Sequence, residues 1–197
     1  MKLLVTGFDA FGKETVNPAS LVLPLLKAPS GAELVTMEIP TVYGVGRQVL
    51  SAIAKENPDW VLLIGQAGGR SGITPERVAI NLRDCSMADN GGRICQEEPV
   101  DSSGPAAFFS SLPLKQMVSA IEAAGIPASV SNTAGTFVCN SLLYEVLQGC
   151  GSLDFKVRAG FIHVPFLPCQ VENRPQYPSM TLEDMAKGLN AAIASLL

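Results

Sequence analysis

Five consecutive apolar residues, Trp60-Val61-Leu62-Leu63-Ile64, limit what this chain can become more than any other stretch. A strand presents successive side chains to opposite faces, so a run with no polar residue at either parity needs apolar cover on both sides. Such a strand belongs inside a parallel sheet with helices above and below it. Asn57-Pro58 ends a helical pattern just before the run, and a glycine loop, Gly65-Gln66-Ala67-Gly68-Gly69-Arg70, follows it. Overall balance agrees: 47% of the residues are hydrophobic and only 16% charged, which suits a sheet covered twice.

Strand and helix alternate on either side. Residues 1–6 read as a short strand, followed by the turn-rich Gly7-Phe8-Asp9-Ala10-Phe11-Gly12. Two phenylalanines in a glycine loop imply something apolar to cover. Asn17-Pro18 reads as N-cap and first residue of a helix running through Leu21, Leu25 and Leu26. Further strands are expected at 34–39, 77–82, 128–131 and 157–166, with helices at 46–55, 114–124 and 181–197. Residues 84–104, rich in Asp, Asn, Gly, Ser and Glu, predict a long excursion or hairpin over one end of the sheet. With no internal repeat and no linker, residues 1–197 are expected to form one domain. The fold expected is a three-layer α/β/α sandwich around a mostly parallel sheet.

Several partners are excluded. A formal charge of −4 without a Lys/Arg cluster argues against nucleic acid. No apolar run reaches membrane-spanning length, and the apolar start, Leu3-Leu4-Val5, is too short for a signal-peptide core, so a cytoplasmic location is expected. Five cysteines (Cys85, Cys95, Cys139, Cys150, Cys169) form an odd set without a CxxC pair, which implies reduced thiols. With one histidine in the chain, no metal site is expected, and the glycine loop matches neither a Walker loop nor GxGxxG. No cofactor is expected.

The chemistry concentrates in residues 131–147, SNTAGTFVCNSLLYEVL. Val138, Leu142, Leu143, Val146 and Leu147 recur at helical spacing, and Thr136 reads as an N-cap that would put Cys139 near N3. Unpaired N–H groups and the helix dipole there favour a thiolate and can hold an oxyanion. By itself such a cysteine is ordinarily a small buried hydrophobe. A cysteine nucleophile needs a base, and His163, in an apolar strand before Pro165, is the only imidazole. A third group should orient that ring. Glu76, beside the glycine loop, is the best-placed acid; Asp84 and Asp154 are rivals, and spacing leaves the choice open.

Five motifs in order, TGFDAFG (6–12) with NP (17–18), GQAGGR (65–70), ITPERVAINL (73–82), SNTAGTFVCN (131–140) and GFIHVPF (160–166), resemble the pyrrolidone carboxyl peptidases, or pyroglutamyl peptidase I. The resemblance spans nearly the whole chain. It implies a cysteine peptidase that removes an N-terminal pyroglutamyl residue from peptides, with Cys139 as nucleophile, His163 as base and Glu76 as orienting acid. It also implies an apolar lactam pocket walled by Phe8, Phe11, Phe137 and Val138, and a ring amide bound by the backbone of Gln66. A metal-free, cytosolic enzyme follows from it, and a homo-oligomer, often a tetramer in prokaryotes. The chain departs from the family pattern at Ser86, where many relatives carry arginine, and at Met87-Ala88, where Ile-Pro is frequent. Two other readings of the residues are a different Cys-His amidase on this fold and a catalytically silent small-molecule binding protein.

Overall fold

A computed structural model describes all residues from Met1 to Leu197. In chain order the elements are β1 (Lys2–Phe8), α1 (Pro18–Leu21), β2 (Glu33–Ile39), α2 (Gly46–Glu56), β3 (Trp60–Gln66), β4 (Thr74–Pro75), β5 (Val78–Ile80) and β6 (Arg83–Cys85). They continue with β7 (Cys95–Glu98), β8 (Ala107–Phe109), α3 (Leu114–Ala123), α4 (Val138–Cys150), β9 (Arg158–Val164) and α5 (Leu182–Ala194). The main sheet runs β2-β1-β3-β9-β4. Its first four strands are mutually parallel, and the two-residue β4 is antiparallel to β9.

The apolar run behaves as its composition demands. Every residue of β3 is buried. Leu62 and Ile64 point into one cluster, with Leu3 and Val5 of β1, Ile162 and Val164 of β9, Met117 and Ile121 of α3, and Met185 and Leu189 of α5. Val61 and Leu63 point the other way, with Leu4, Phe161, Val49 and Ile53 of α2, and Val138, Leu142 and Leu143 of α4. Alternation along three strands thus divides the interior into two cores and gives the α/β/α layering.

Some elements differ from expectation. The first helix is cut to one turn, with Asn17 capping it by accepting from Ala19 N at 2.9 Å. A 3₁₀ turn over Leu23–Leu25 replaces its continuation. Pro24 lacks the N–H that would bond the Ser20 carbonyl, and its ring crowds that oxygen. The strand expected at 77–82 shrinks to β5, which pairs with β8 and not with the main sheet. Residues 128–131 form no strand; Ala128 and Ser131 make isolated parallel bridges to Ile73 and Glu76. The 84–104 excursion is the hairpin β6–β7. No helix is long and apolar enough to cross a membrane.

Candidate active site

β3 and β9 end side by side, with Gly65 registered against His163 and Gln66 against Val164. Ligands of open parallel sheets bind beyond such carboxyl ends. Position 163 shares its parity with Phe161, so the imidazole faces the α4 side, with the two rings 4.6 Å apart. Directly beside it, a Cβ on Gly65 would come within 2.6 Å of Phe161 Cζ and 3.1 Å of Cys139 Sγ. Only glycine at that position lets the thiol close on the strand ends.

Cys139 comes from the first turn of α4, one residue nearer the helix start than expected. Thr136 is not the cap: its hydroxyl donates to the Asp84 carbonyl at 2.5 Å, and Asp84 N donates back to Thr136 O at 3.0 Å. With the hydroxyl occupied by β6, extended Phe137 becomes the N-cap and has no side-chain bond to offer, so Cys139 sits at N2. Ser141 N makes the first bond back, to Phe137 O at 3.2 Å, and the amides before it keep the free N–H groups of a helix start.

Burial works against the thiolate-favouring effect of the helix start. Burial, with the Glu76 charge adding to it, pushes the Cys139 thiol up to about 12, against the lowering effect of Arg70. Burial pulls His163 below its ordinary value, and the bond to Glu76 offsets only part of that. Burial therefore favours the thiol form of Cys139 and the neutral form of His163, because it penalises the charged form of each.

Glu76 has no solvent-exposed surface. Its Oε1 lies 2.7 Å from His163 Nδ1 and 2.6 Å from an Nη of Arg70, while Oε2 is buried without a partner. Its backbone is pinned by Glu76 N donating to Phe161 O at 2.8 Å. Opposing effects act on the carboxyl; burial raises it, but the hydrogen bond and charge of His163, with Arg70, hold it below the ordinary value overall. Arg77, next to Glu76 in the chain, donates from Nε to Asn132 Oδ1 at 2.8 Å. Asp84 and Asp154 are both exposed, and neither bonds to His163.

A cleft of about 370 Å³ opens over these groups and contains Cys139, His163, Gln66 and Arg70. Phe11 and Phe137 form its apolar wall, with ring centroids 6.1 Å apart, and Met87 completes it from the hairpin side. Two residues expected on that wall lie beneath it. Phe8 belongs to β1, because the strand runs to Phe8, and packs 6.3 Å from Phe161. Val138 is fully buried under the helix start. The Gln66 side chain is fixed through its Oε1, which accepts from Gln170 Nε2 at 2.8 Å. The sequence singles out neither Arg70 nor Gln170, and Met87 only as a departure from the family pattern. Arg70 had a signal, since it closes the glycine loop six residues before a buried acid.

The family model for pyroglutamyl peptidase matches residues 1–197. The chain belongs to the pyroglutamyl peptidase family. It is thus a cysteine-type peptidase and a hydrolase, which sets aside a silent binding protein. It is 52% identical to the pyrrolidone-carboxylate peptidase of Lactobacillus johnsonii, over 100% of this chain and 93% of that one. Against the same-named protein of Levilactobacillus brevis, identity is 51% over 100% and 98% of the two chains. Among solved structures, pyroglutamyl peptidase I from Bacillus amyloliquefaciens superposes with a TM-score of 0.93 at 44% identity, covering 98% of this chain and 93% of that one. A mutant pyrrolidone carboxyl peptidase from the hyperthermophile Pyrococcus furiosus gives 0.93 at 34% identity, covering 99% and 97%.

Proposed function

We propose that this peptidase hydrolyses the amide bond after an N-terminal pyroglutamyl residue, with Cys139 as nucleophile, His163 as base and Glu76 as orienting acid. The observation that carries the reading is the buried Glu76 Oε1–His163 Nδ1 contact of 2.7 Å at the floor of a cleft that also contains Cys139. With Nδ1–H donating to Glu76, Nε2 is the basic nitrogen. The Cys139 thiol passes its proton to Nε2 as sulfur attacks the carbonyl carbon, and the oxyanion is held by free N–H groups at the start of α4. Collapse breaks the C–N bond; the imidazolium gives its proton to the leaving amine, and a pyroglutamyl thioester remains. Water, deprotonated by His163, adds to the thioester and releases pyroglutamate and the thiol.

The cleft suits a small uncharged lactam. Phe11 and Phe137 can flank a flat ring, and an N-terminal ammonium would lose hydration there without an unpaired carboxylate to replace it. A prolyl residue lacks the ring carbonyl and leaves a buried donor unpaired, which discriminates by about 10⁴-fold at sites built around such a bond. One domain, a cytoplasmic location and a homo-oligomer, a tetramer by resemblance, complete the proposal; sharing of a single sheet by both cores supports the first. The test is turnover of a pyroglutamyl amide against a prolyl amide, with iodoacetamide labelling mapped by mass spectrometry. Turnover should be confined to the lactam, substrate should slow labelling of Cys139, and Cys139→Ala should remain folded and inactive. An active Cys139→Ala with labelling only at Cys85 or Cys95 would sink the assignment.

A further inference from the structure

Glu76 is a fully buried carboxylate, and such a group ionises only when something replaces its hydration. His163 gives Oε1 a hydrogen bond through Nδ1–H and adds a positive charge only when its ring is protonated. Oε2 has no partner at all. The full positive charge within bonding reach is the Arg70 guanidinium, 2.6 Å from Oε1. That guanidinium is itself fixed: one Nη also meets the Thr74 hydroxyl, and the other donates to Thr133 O at 2.9 Å. Arg70 therefore ties the glycine loop, the segment carrying Glu76 and the segment leading into α4 to one planar group.

We propose that Arg70 is a positioning residue that keeps Glu76 ionised, and through it sets the pH range in which His163 can accept the Cys139 proton. This rests on the triad reading above. An arginine stays charged across the working range, so its influence does not fade as pH falls, whereas a neutral hydrogen-bond donor would leave the carboxyl free to protonate. A protonated Glu76 cannot stabilise the imidazolium that forms when Cys139 attacks. The groups facing Glu76 are Arg70 from the glycine loop, His163 from β9, Cys139 from α4 and the Ser131 hydroxyl from the segment before it. Direct repulsion between Arg70 and a protonated His163 works in the same direction as its effect through Glu76. Removing the charge moves the acid limb of the profile upward by both routes.

The experiment measures kcat and KM against pH on one pyroglutamyl amide for the wild type, Arg70→Gln, Arg70→Lys, Glu76→Gln and the double variant Arg70→Gln/Glu76→Gln. Arg70→Gln should lower kcat by no more than Glu76→Gln does, on the order of 10–10³-fold, with little change in KM. Its acid limb should rise by about one pH unit or more, while Arg70→Lys, which keeps the charge, should hold the limb near wild type. Because Arg70 acts through Glu76, the double variant should turn over within about threefold of Glu76→Gln alone. The double variant removes both charges and so leaves none buried unpaired, which keeps this comparison open even where Arg70→Gln does not fold. Losses that multiply in the double variant, or an acid limb unmoved in Arg70→Gln, would overturn the inference. A Glu76→Gln enzyme as active as wild type would instead remove the triad reading on which it rests.

Discussion

Burial favours the thiol at Cys139 and the neutral imidazole at His163, so proton transfer between them accompanies attack on the substrate. That fixes a pH dependence. His163 must be unprotonated to accept the proton, and burial holds its pKa below the ordinary 6.5. The neutral form therefore persists to lower pH than for a free histidine, and the acid limb of kcat/KM should fall below pH 6.5. A limb centred near about pH 8 would mean that ionisation of an ordinary thiol governs the rate, against the burial described for Cys139. At this scale the reactive types were legible because they are scarce: there is one histidine, and one cysteine opens an apolar helix. Protonation was not legible, since desolvation depends on what packs around a thiol. Arg70 escaped for a similar reason. A lone cation after two glycines looks like a solvated loop end until the fold brings it against Glu76.

Among the elements, α4 supplies more than the nucleophile. Asn140, next to Cys139, is buried and acts as a strand partner made from a side chain. Its Oδ1 accepts from Ile80 N at 2.9 Å, and its Nδ2 donates to Ile80 O and Leu82 O, each at 2.9 Å. β5 lies off the main sheet, and this amide holds its backbone to the helix start. Asn140→Ala leaves the Ile80 N–H and the Leu82 carbonyl unpaired, while Ile80 O keeps its bond from Leu82 N at 2.9 Å, at a cost of about 2–3 kcal/mol. Urea unfolding should show that loss, whereas Cys139→Ala should unfold near the wild-type midpoint; equal midpoints for the two variants would contradict this role. The long helices and β3 could be read from periodicity and apolar runs, which report burial directly. Short pieces could not. Pro24 cuts α1 within a run of leucines that otherwise reads as one helix, and residues 128–131 look like a strand but only bridge to Ile73 and Glu76. In both, a single proline or a competing neighbour outweighs local preference.

For the molecule as a whole, β9 is made late but sits inside the sheet, between β3 and β4. Its pairing with β3 closes a long stretch of chain, a slow kind of contact to form. The single tryptophan reports on it: Trp60 is registered against Arg158, whose guanidinium stacks 4.7 Å from the indole. On refolding from denaturant, native tryptophan fluorescence and turnover should return in the same slowest phase, after most of the far-UV circular dichroism. Turnover that precedes the fluorescence change would show that β9 docks before it reaches this register. The three-layer architecture was legible because alternating strands and helices admit few arrangements, whereas the antiparallel β4 at the edge was not, since two residues carry no pattern. The place of β9 also bears on how a peptidase is made safely. While the chain is being synthesised, the thiol and the acid emerge before the imidazole, and the last parallel strand must insert before the three can meet. An unfinished copy is a hydrolase without a base, so latency during synthesis follows from strand order alone.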